Sequence, residues 1–268
     1  MSQFHRSLRL LDAVMLVAGS MIGSGIFIVS AGMLRGLGSP AWLLTAWVVA
    51  GVLTVLAALS YGELAAMMPE AGGQFVYLRR AYGKLTSFMY GWTAFTVITS
   101  GIIAAVAVAF AKFSAVFFPV LSPDNILLIL GPVHVSAAQV YAVCAILLLT
   151  WFNTRGVEHS KTFTTVFTLA KVAAVLALVV GGLAVGLGTD LLSTNFSRGW
   201  EAVRTGSDGA LTPLTGMALL SALGVAMVGS LFSSDGWNSV TFIAGEIREP
   251  QRNIPLSLFL GTFMVTAL

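Results

Sequence analysis

Long uncharged runs constrain this chain more than any other feature. They extend from Ala13 to Leu34, Gly36 to Gly62, Leu85 to Ala111, Asn125 to Thr154, Val172 to Thr189 and Gly209 to Ser234. A membrane-spanning helix needs about 20 mostly apolar residues. Inside lipid the backbone must satisfy its own N–H and C=O groups, as a helix does. Only 9% of residues are charged, and the mean hydropathy is +0.91. Ordinary soluble proteins carry roughly 25% charged residues, and a water-soluble domain of this composition would aggregate. The runs predict an all-α integral membrane protein, one membrane domain over 1–268, with spans at 10–34, 41–66, 85–111, 134–153, 162–187 and 213–245.

The first run follows Arg6 and Arg9 as a signal peptide would, but its apolar stretch exceeds the roughly 7–15 residues of a signal-peptide core, so it is expected to be a retained span. A seventh run begins after Arg252 and reaches the last residue, Leu268. Its 16 residues would span about 24 Å as a helix, less than the roughly 30 Å of a bilayer core. The sequence is therefore expected to stop inside a partial helix at 255–268.

Loop charges give an orientation. One side carries Arg6, Arg9, Arg79, Arg80, Lys84, Arg155, Lys161, Arg248 and Arg252, and the other Arg35, Lys112, Arg198 and Arg204. By the positive-inside rule the N-terminus is cytoplasmic, in a multi-pass protein of the cell membrane. The net charge of +3 follows from these flanking residues, whose partner is the lipid bilayer. No basic cluster is interleaved with aromatics, which argues against nucleic acid.

Cys144 is the only cysteine, so no internal disulfide forms; it is expected to be a small buried hydrophobe. His5, His134 and His159 lack metal-ligand spacing, and are read as surface or interfacial residues; neither metal nor cofactor is expected. The segment Met67–Lys84 breaks the apolar pattern and suits a short interfacial helix. The stretch from Asp190 to Thr212 reads as an irregular polar loop, either a cover for an external entrance or a plain connector.

Three features carry chemistry. At mid-depth in the first span, Gly19-Ser20-Met21-Ile22-Gly23-Ser24-Gly25-Ile26-Phe27 weakens the helix. A break there exposes N–H groups that hold a carboxylate and carbonyls that hold an ammonium; close helix packing through Gly19 and Gly23 is the alternative. The sixth span repeats the feature in Gly229-Ser230-Leu231-Phe232-Ser233-Ser234-Asp235-Gly236-Trp237-Asn238. Two interrupted helices five spans apart fit an inverted repeat, the first at 10–187 and the start of the second at 213–268. Third, Lys171 lies about 15 Å deep in its helix, where a charge is costly and usually faces a polar cavity.

These residues resemble the amino acid-polyamine-organocation transporter superfamily, in its L-amino acid transporter branch. The likeness covers essentially the whole chain and rests on IGSGIF at 22–27, YGELAAMMPEAGGQFVYLRRAYG at 61–83, Lys171, and FSSDGWNSVTFIAGEIREPQRNIP at 232–255. It implies a 5+5 inverted-repeat fold, of which only the first repeat and the opening of the second are present. It also implies that amides around Ser24, Gly25 and Ile26 bind the substrate carboxylate, and that carbonyls of Met21, Phe232 and Asp235 bind its amine. Phe232 would be a gate, while Gly23, Gly236, Trp237 and Asn238 would support the helix breaks. Lys171 would replace sodium, bracing helix one against helix five.

The expected function is sodium-independent, secondary active or facilitative transport of L-amino acids, through exchange, by alternating access. Ser20, Ser24, Ser233, Ser234 and Asn238 leave a modestly polar cavity suited to small or medium neutral side chains. Asp235 keeps a cationic amino acid or polyamine permease open, and a non-transporting scaffold or sensor is the reading from another class. An enzyme is not expected, because no metal motif or nucleophile elbow is present. Relatives in the branch commonly pair with a glycoprotein through a cysteine between helices three and four. None lies between Lys112 and Val133, so no disulfide-linked heavy subunit is expected.

Overall fold

The computed structural model describes residues 6–131, 133–154, 157–205 and 210–268. His5 and Arg155, used above for charge and surface arguments, lie outside them, as do the side chains of His159 and Lys161.

In chain order, α1 (Leu10–Met21) and α2 (Gly25–Leu37) are separated by a three-residue break and bent by 40°. Next come α3 (Pro40–Met67), α4 (Gln74–Tyr82) and α5 (Lys84–Thr93). A π-helical turn, Ala94–Thr99, joins α5 to α6 (Ser100–Phe117). Strands β1 (Ile126–Leu130) and β2 (Val133–Ser136) precede α7 (Ala137–Asn153). Helices α8 (Val157–Leu187) and α9 (Leu191–Ser197) lead to β3 (Val203–Thr205) and β4 (Leu211–Pro213). Then α10 (Gly216–Ser233), a 3-10 helix at Trp237–Glu246 and α11 (Pro250–Ala267) follow. Pro40–Met67, Lys84–Phe117, Thr165–Leu187 and Gly216–Glu246 are each long and apolar enough to cross a membrane, as is the bent α1–α2 pair.

Two expected boundaries move for local reasons. The span expected from 134 starts at Ala137, because Ser136 and Gln139 form a capping box in which each side chain accepts from the other's amide. The sixth span, expected over 213–245, begins at Gly216 after the short strand β4 and changes from α to 3-10 geometry at its break. The expected irregular loop at 190–212 instead contains α9 and the antiparallel β3–β4 hairpin.

The chain forms two compact units. One comprises Leu78–Phe163. There α6 and α7 pack through Ala107, Ala111, Ala138 and Ala142, whose small side chains let the backbones approach. Phe110 stacks on Tyr141 at 5.6 Å. Cys144 corrects the expectation of burial: it is exposed, because the buried face of α7 runs through Ala138 and Ala142 and a residue two positions after Ala142 turns off it.

The other unit joins Met1–Tyr77 to Thr164–Leu268. Helix α3 starts with Ser39 capping the Trp42 amide at 3.2 Å and Pro40 in the first turn. Its small residues admit α11 closely: Gly51 faces Thr266 and Gly62 faces Pro255. Helix α11 also meets α1, where Gly261 lies against Val17. The resulting core holds Val17, Met21, Ala58, Val240, Ile254 and Leu258. Near α3, the Ser39 hydroxyl donates to the Gly199 carbonyl and the Trp42 indole donates to the Trp200 carbonyl at 3.1 Å.

Away from that loop, the chain start is pinned to the segment after the 3-10 helix. The Leu8 amide donates to the Glu246 carbonyl at 3.1 Å, and the Arg248 amide donates back to the Leu8 carbonyl at 2.9 Å. The Gly72 amide donates to the Phe242 carbonyl at 3.2 Å. Gln74 donates to the Tyr61 hydroxyl at 2.7 Å, and Tyr61 meets Trp237 edge-on at 4.9 Å. Burial, reinforced by Tyr61, pushes the Tyr77 phenol up to about 12.

Candidate functional site

The first break follows from the Gly19–Gly25 sequence. Helix α1 ends when the Ile22 amide bonds to the Ala18 carbonyl, after which Ile22 leaves helical geometry with ψ of 87°. Helix α2 restarts at Gly25, and its first amides have no carbonyl one turn earlier in the helix. Among the described residues, nothing accepts from the amides of Ser24, Gly25 or Ile26. Ser24 is exposed, and Gly25 and Ile26 are half-buried. The arrangement suits an anion through undirected donors and the helix's positive end.

The second break is built differently. Helix α10 ends at Ser233, and the Asp235 amide donates to the Phe232 carbonyl at 3.3 Å. Gly236 then takes a left-handed conformation with φ of 92°, which starts the 3-10 helix. A Cβ at Gly236 would also lie 3.0 Å from the Ser20 carbonyl oxygen, so glycine is needed there for both conformation and space.

Several contacts hold the breaks together. The Ser239 and Ser20 hydroxyls are hydrogen-bonded at 2.9 Å, and the Ser239 hydroxyl also donates to the Gly236 carbonyl at 2.7 Å. A Cβ on Gly25 would lie 2.9 Å from Ser233 Oγ and 3.1 Å from Ser233 Cα. Beyond the break, Gly229 admits Val29 and Met33. From α8, Lys171 Nζ donates to the Gly19 carbonyl at 3.3 Å. Thr168, one turn earlier, is buried where a Cβ on Gly19 would lie only 2.3 Å from its hydroxyl.

The other expected site residues occupy different surroundings. Met21 has its side chain in the core, while its carbonyl accepts from the Gly23 amide at 2.9 Å. The Met21 carbonyl thus carries one local hydrogen bond and keeps a second lone pair, whereas the Phe232 carbonyl is approached by the amides of both Ser234 and Asp235. Gly23 has open space where a Cβ would sit. Phe232 and Asp235 are exposed, and neither side chain has a hydrogen bond or ring contact among the described residues. Trp237 packs edge-on against Tyr61 and against the core that holds Met21, and the Asn238 carbonyl accepts from Thr241.

Thr168, Ser239, Tyr61 and Gln74 are absent from the sequence-derived site. Thr168 precedes Lys171 by three residues, so helical spacing places both on one face; the other three lie within the segments at 61–83 and 232–255 that carry the resemblance, which does not say what each contacts. A cavity of about 600 Å³ lies farther along α2 and α10, lined by Gly32, Gly36, Ser221 and Val225 with Arg204. Of the two interrupted segments it touches only Gly229, and none of the residues from Gly19 to Phe27 or from Ser230 to Asn238 lines it; the candidate site is taken at the contacts between the broken ends. Among the described residues, no three His, Cys, Asp or Glu side chains are grouped to hold a metal ion.

The family model for amino acid permeases matches residues 8–268. The chain is 28% identical over 266 residues to "b(0,+)-type amino acid transporter 1" of Mus musculus, covering 99% of this chain and 50% of that protein. It is 28% identical over 262 residues to "Large neutral amino acids transporter small subunit 2" of Rattus norvegicus, covering 97% and 45%. It is 29% identical over 264 residues to "Asc-type amino acid transporter 1" of Mus musculus, covering 97% and 45%. The chain spans about half the length of the curated relatives it matches.

Proposed function

We propose that this chain, which belongs to the amino acid permease family, carries the substrate-binding breaks of an L-amino acid transporter. It is a multi-pass membrane protein, and the observation supporting transport is the meeting of its interrupted helices at Gly25 and Ser233 and at Ser20 and Ser239. An amino acid needs an anion site and a cation site a few ångströms apart. The undirected amides of Ser24, Gly25 and Ile26 supply the first, and the carbonyls of Met21, Phe232 and Asp235 supply the second.

In this reading Phe232 gates the site. Gly23, Gly236, Trp237 and Asn238 shape the breaks, and Lys171 ties α1 to α8 where a sodium ion is not required. Rocking of α1, α2, α10 and the 3-10 helix gives alternating access. Transport is sodium-independent exchange of small or medium neutral L-amino acids, in the plasma membrane with a cytoplasmic N-terminus and without a disulfide-linked subunit.

A cationic substrate is the second reading, favoured by the exposed Asp235 carboxylate beside the second break. The experiment is uptake of labelled neutral and cationic L-amino acids by proteoliposomes carrying the complete gene product, with and without sodium and internal amino acid. Sodium-independent uptake that requires internal substrate supports exchange. Absence of uptake by folded protein moves the assignment to a scaffold or sensor.

A further inference from the structure

We propose that Ser233 is a direct hydroxyl donor to the substrate carboxylate, completing the anion site formed by the amides of Ser24, Gly25 and Ile26; this rests on the amino acid reading above. Ser233 is only 8% exposed, and its Oγ has no hydrogen-bond partner. A buried hydroxyl without a partner is costly, by about 1–3 kcal/mol, so native structures rarely retain one unless something else satisfies it. Its neighbours explain what is missing. The hydroxyl lies at Gly25, 2.9 Å from where a Cβ would stand, beside amides that also lack acceptors.

Donors without an acceptor therefore lie on both sides of the Gly25–Ser233 contact. A carboxylate has two oxygens and about four acceptor sites, enough for the amides and the hydroxyl together, whereas a single carbonyl oxygen offers two. A serine hydroxyl turns about its Cβ without backbone movement, so Ser233 can redirect its proton when the anion arrives. Neighbouring serines are engaged differently: Ser234 donates to the Ser230 carbonyl at 2.9 Å, and Ser230 donates to the Met227 carbonyl at 3.1 Å. Only Ser233 of this group has its hydroxyl buried and unused.

The test uses the complete gene product in detergent, comparing wild type with Ser233→Ala for ligand-free thermal stability and for affinity toward a transported L-amino acid and its methyl ester. We expect Ser233→Ala to bind the acid about three- to tenfold more weakly, to change ester binding less, and to keep or raise ligand-free stability because the unpartnered hydroxyl is gone. Wild-type binding with unchanged acid affinity in the variant overturns the inference and leaves the amino acid reading standing. Equal weakening toward acid and ester, or a loss of ligand-free stability, also overturns it by assigning the hydroxyl a structural role. If folded wild type binds none of a neutral and cationic L-amino acid panel, the underlying reading fails, and this inference with it.

Discussion

Lys171 Nζ reaches across 152 residues of sequence to donate to the Gly19 carbonyl at 3.3 Å. Gly19 lies in the last turn of α1, where helix geometry leaves carbonyls without an amide partner. The ammonium therefore completes a backbone group that the break exposes, and α8 is fastened to the broken helix at the same place. Replacing Lys171 with Ala removes a charge-assisted hydrogen bond of about 1.5–3 kcal/mol. Transport should fall about tenfold or more in proteoliposomes, without acquiring sodium dependence. Wild-type uptake by Lys171→Ala at equal protein content would remove this residue from the mechanism.

The Gly19–Thr168 contact makes a separate steric prediction. An alanine at Gly19 places its Cβ 2.3 Å from the Thr168 hydroxyl, whereas the Thr168 Cβ is 3.5 Å away. Gly19→Ala should lower thermal stability by an overpacking penalty of about 1–3 kcal/mol. The double variant with Thr168→Ala should recover most of that loss, because the clashing oxygen is gone. Additive losses in the double variant would mean that α1 and α8 do not pack at this point.

Asp235 discriminates the two substrate readings. Its carboxylate is exposed beside Gly236, and Asp235→Asn removes the charge with little change in size. If substrates are neutral, uptake of small neutral amino acids should stay within about twofold of wild type, since the backbone carbonyl at this position is retained. Competition by lysine or arginine that is present in wild type and lost in Asp235→Asn would establish the cationic reading instead.

Tyr77 provides a pH signature outside the apolar spans. Its phenol is pushed from 10 to about 12, chiefly by burial and secondarily by Tyr61. The folded state holds this proton more tightly than the unfolded state, so the associated stability is complete below pH 10 and is lost as pH rises toward 12. Ultraviolet titration should show a late-ionising component near pH 12 that Tyr77→Phe removes. Late ionisation surviving in the variant would reassign it to another tyrosine.

Much of the architecture is legible in the uncharged runs because lipid requires long helices with internally satisfied backbones, and composition records that requirement directly. The two interruptions are also local properties: glycine and serine cluster at 19–25, and Asp235-Gly236 ends an apolar helix. Ser136 and Gln139 carry the signal that starts α7 at Ala137, although hydropathy alone extends the span to 134. The exposed position of Cys144 needed the packing of α6 on α7, since an apolar run does not reveal which face is covered.

The sequence by itself determined that the chain crosses a membrane repeatedly, where two spans are interrupted, and that a lysine, Lys171, stands within an otherwise apolar helix. Tertiary structure alone decided which groups meet: Lys171 with Gly19, Ser239 with Ser20, and Ser233 with Gly25. The physical reason is range. Hydropathy and helix weakness act over neighbouring residues and leave a local record, whereas a hydrogen bond across 219 residues depends on the relative placement of helices set by their packing.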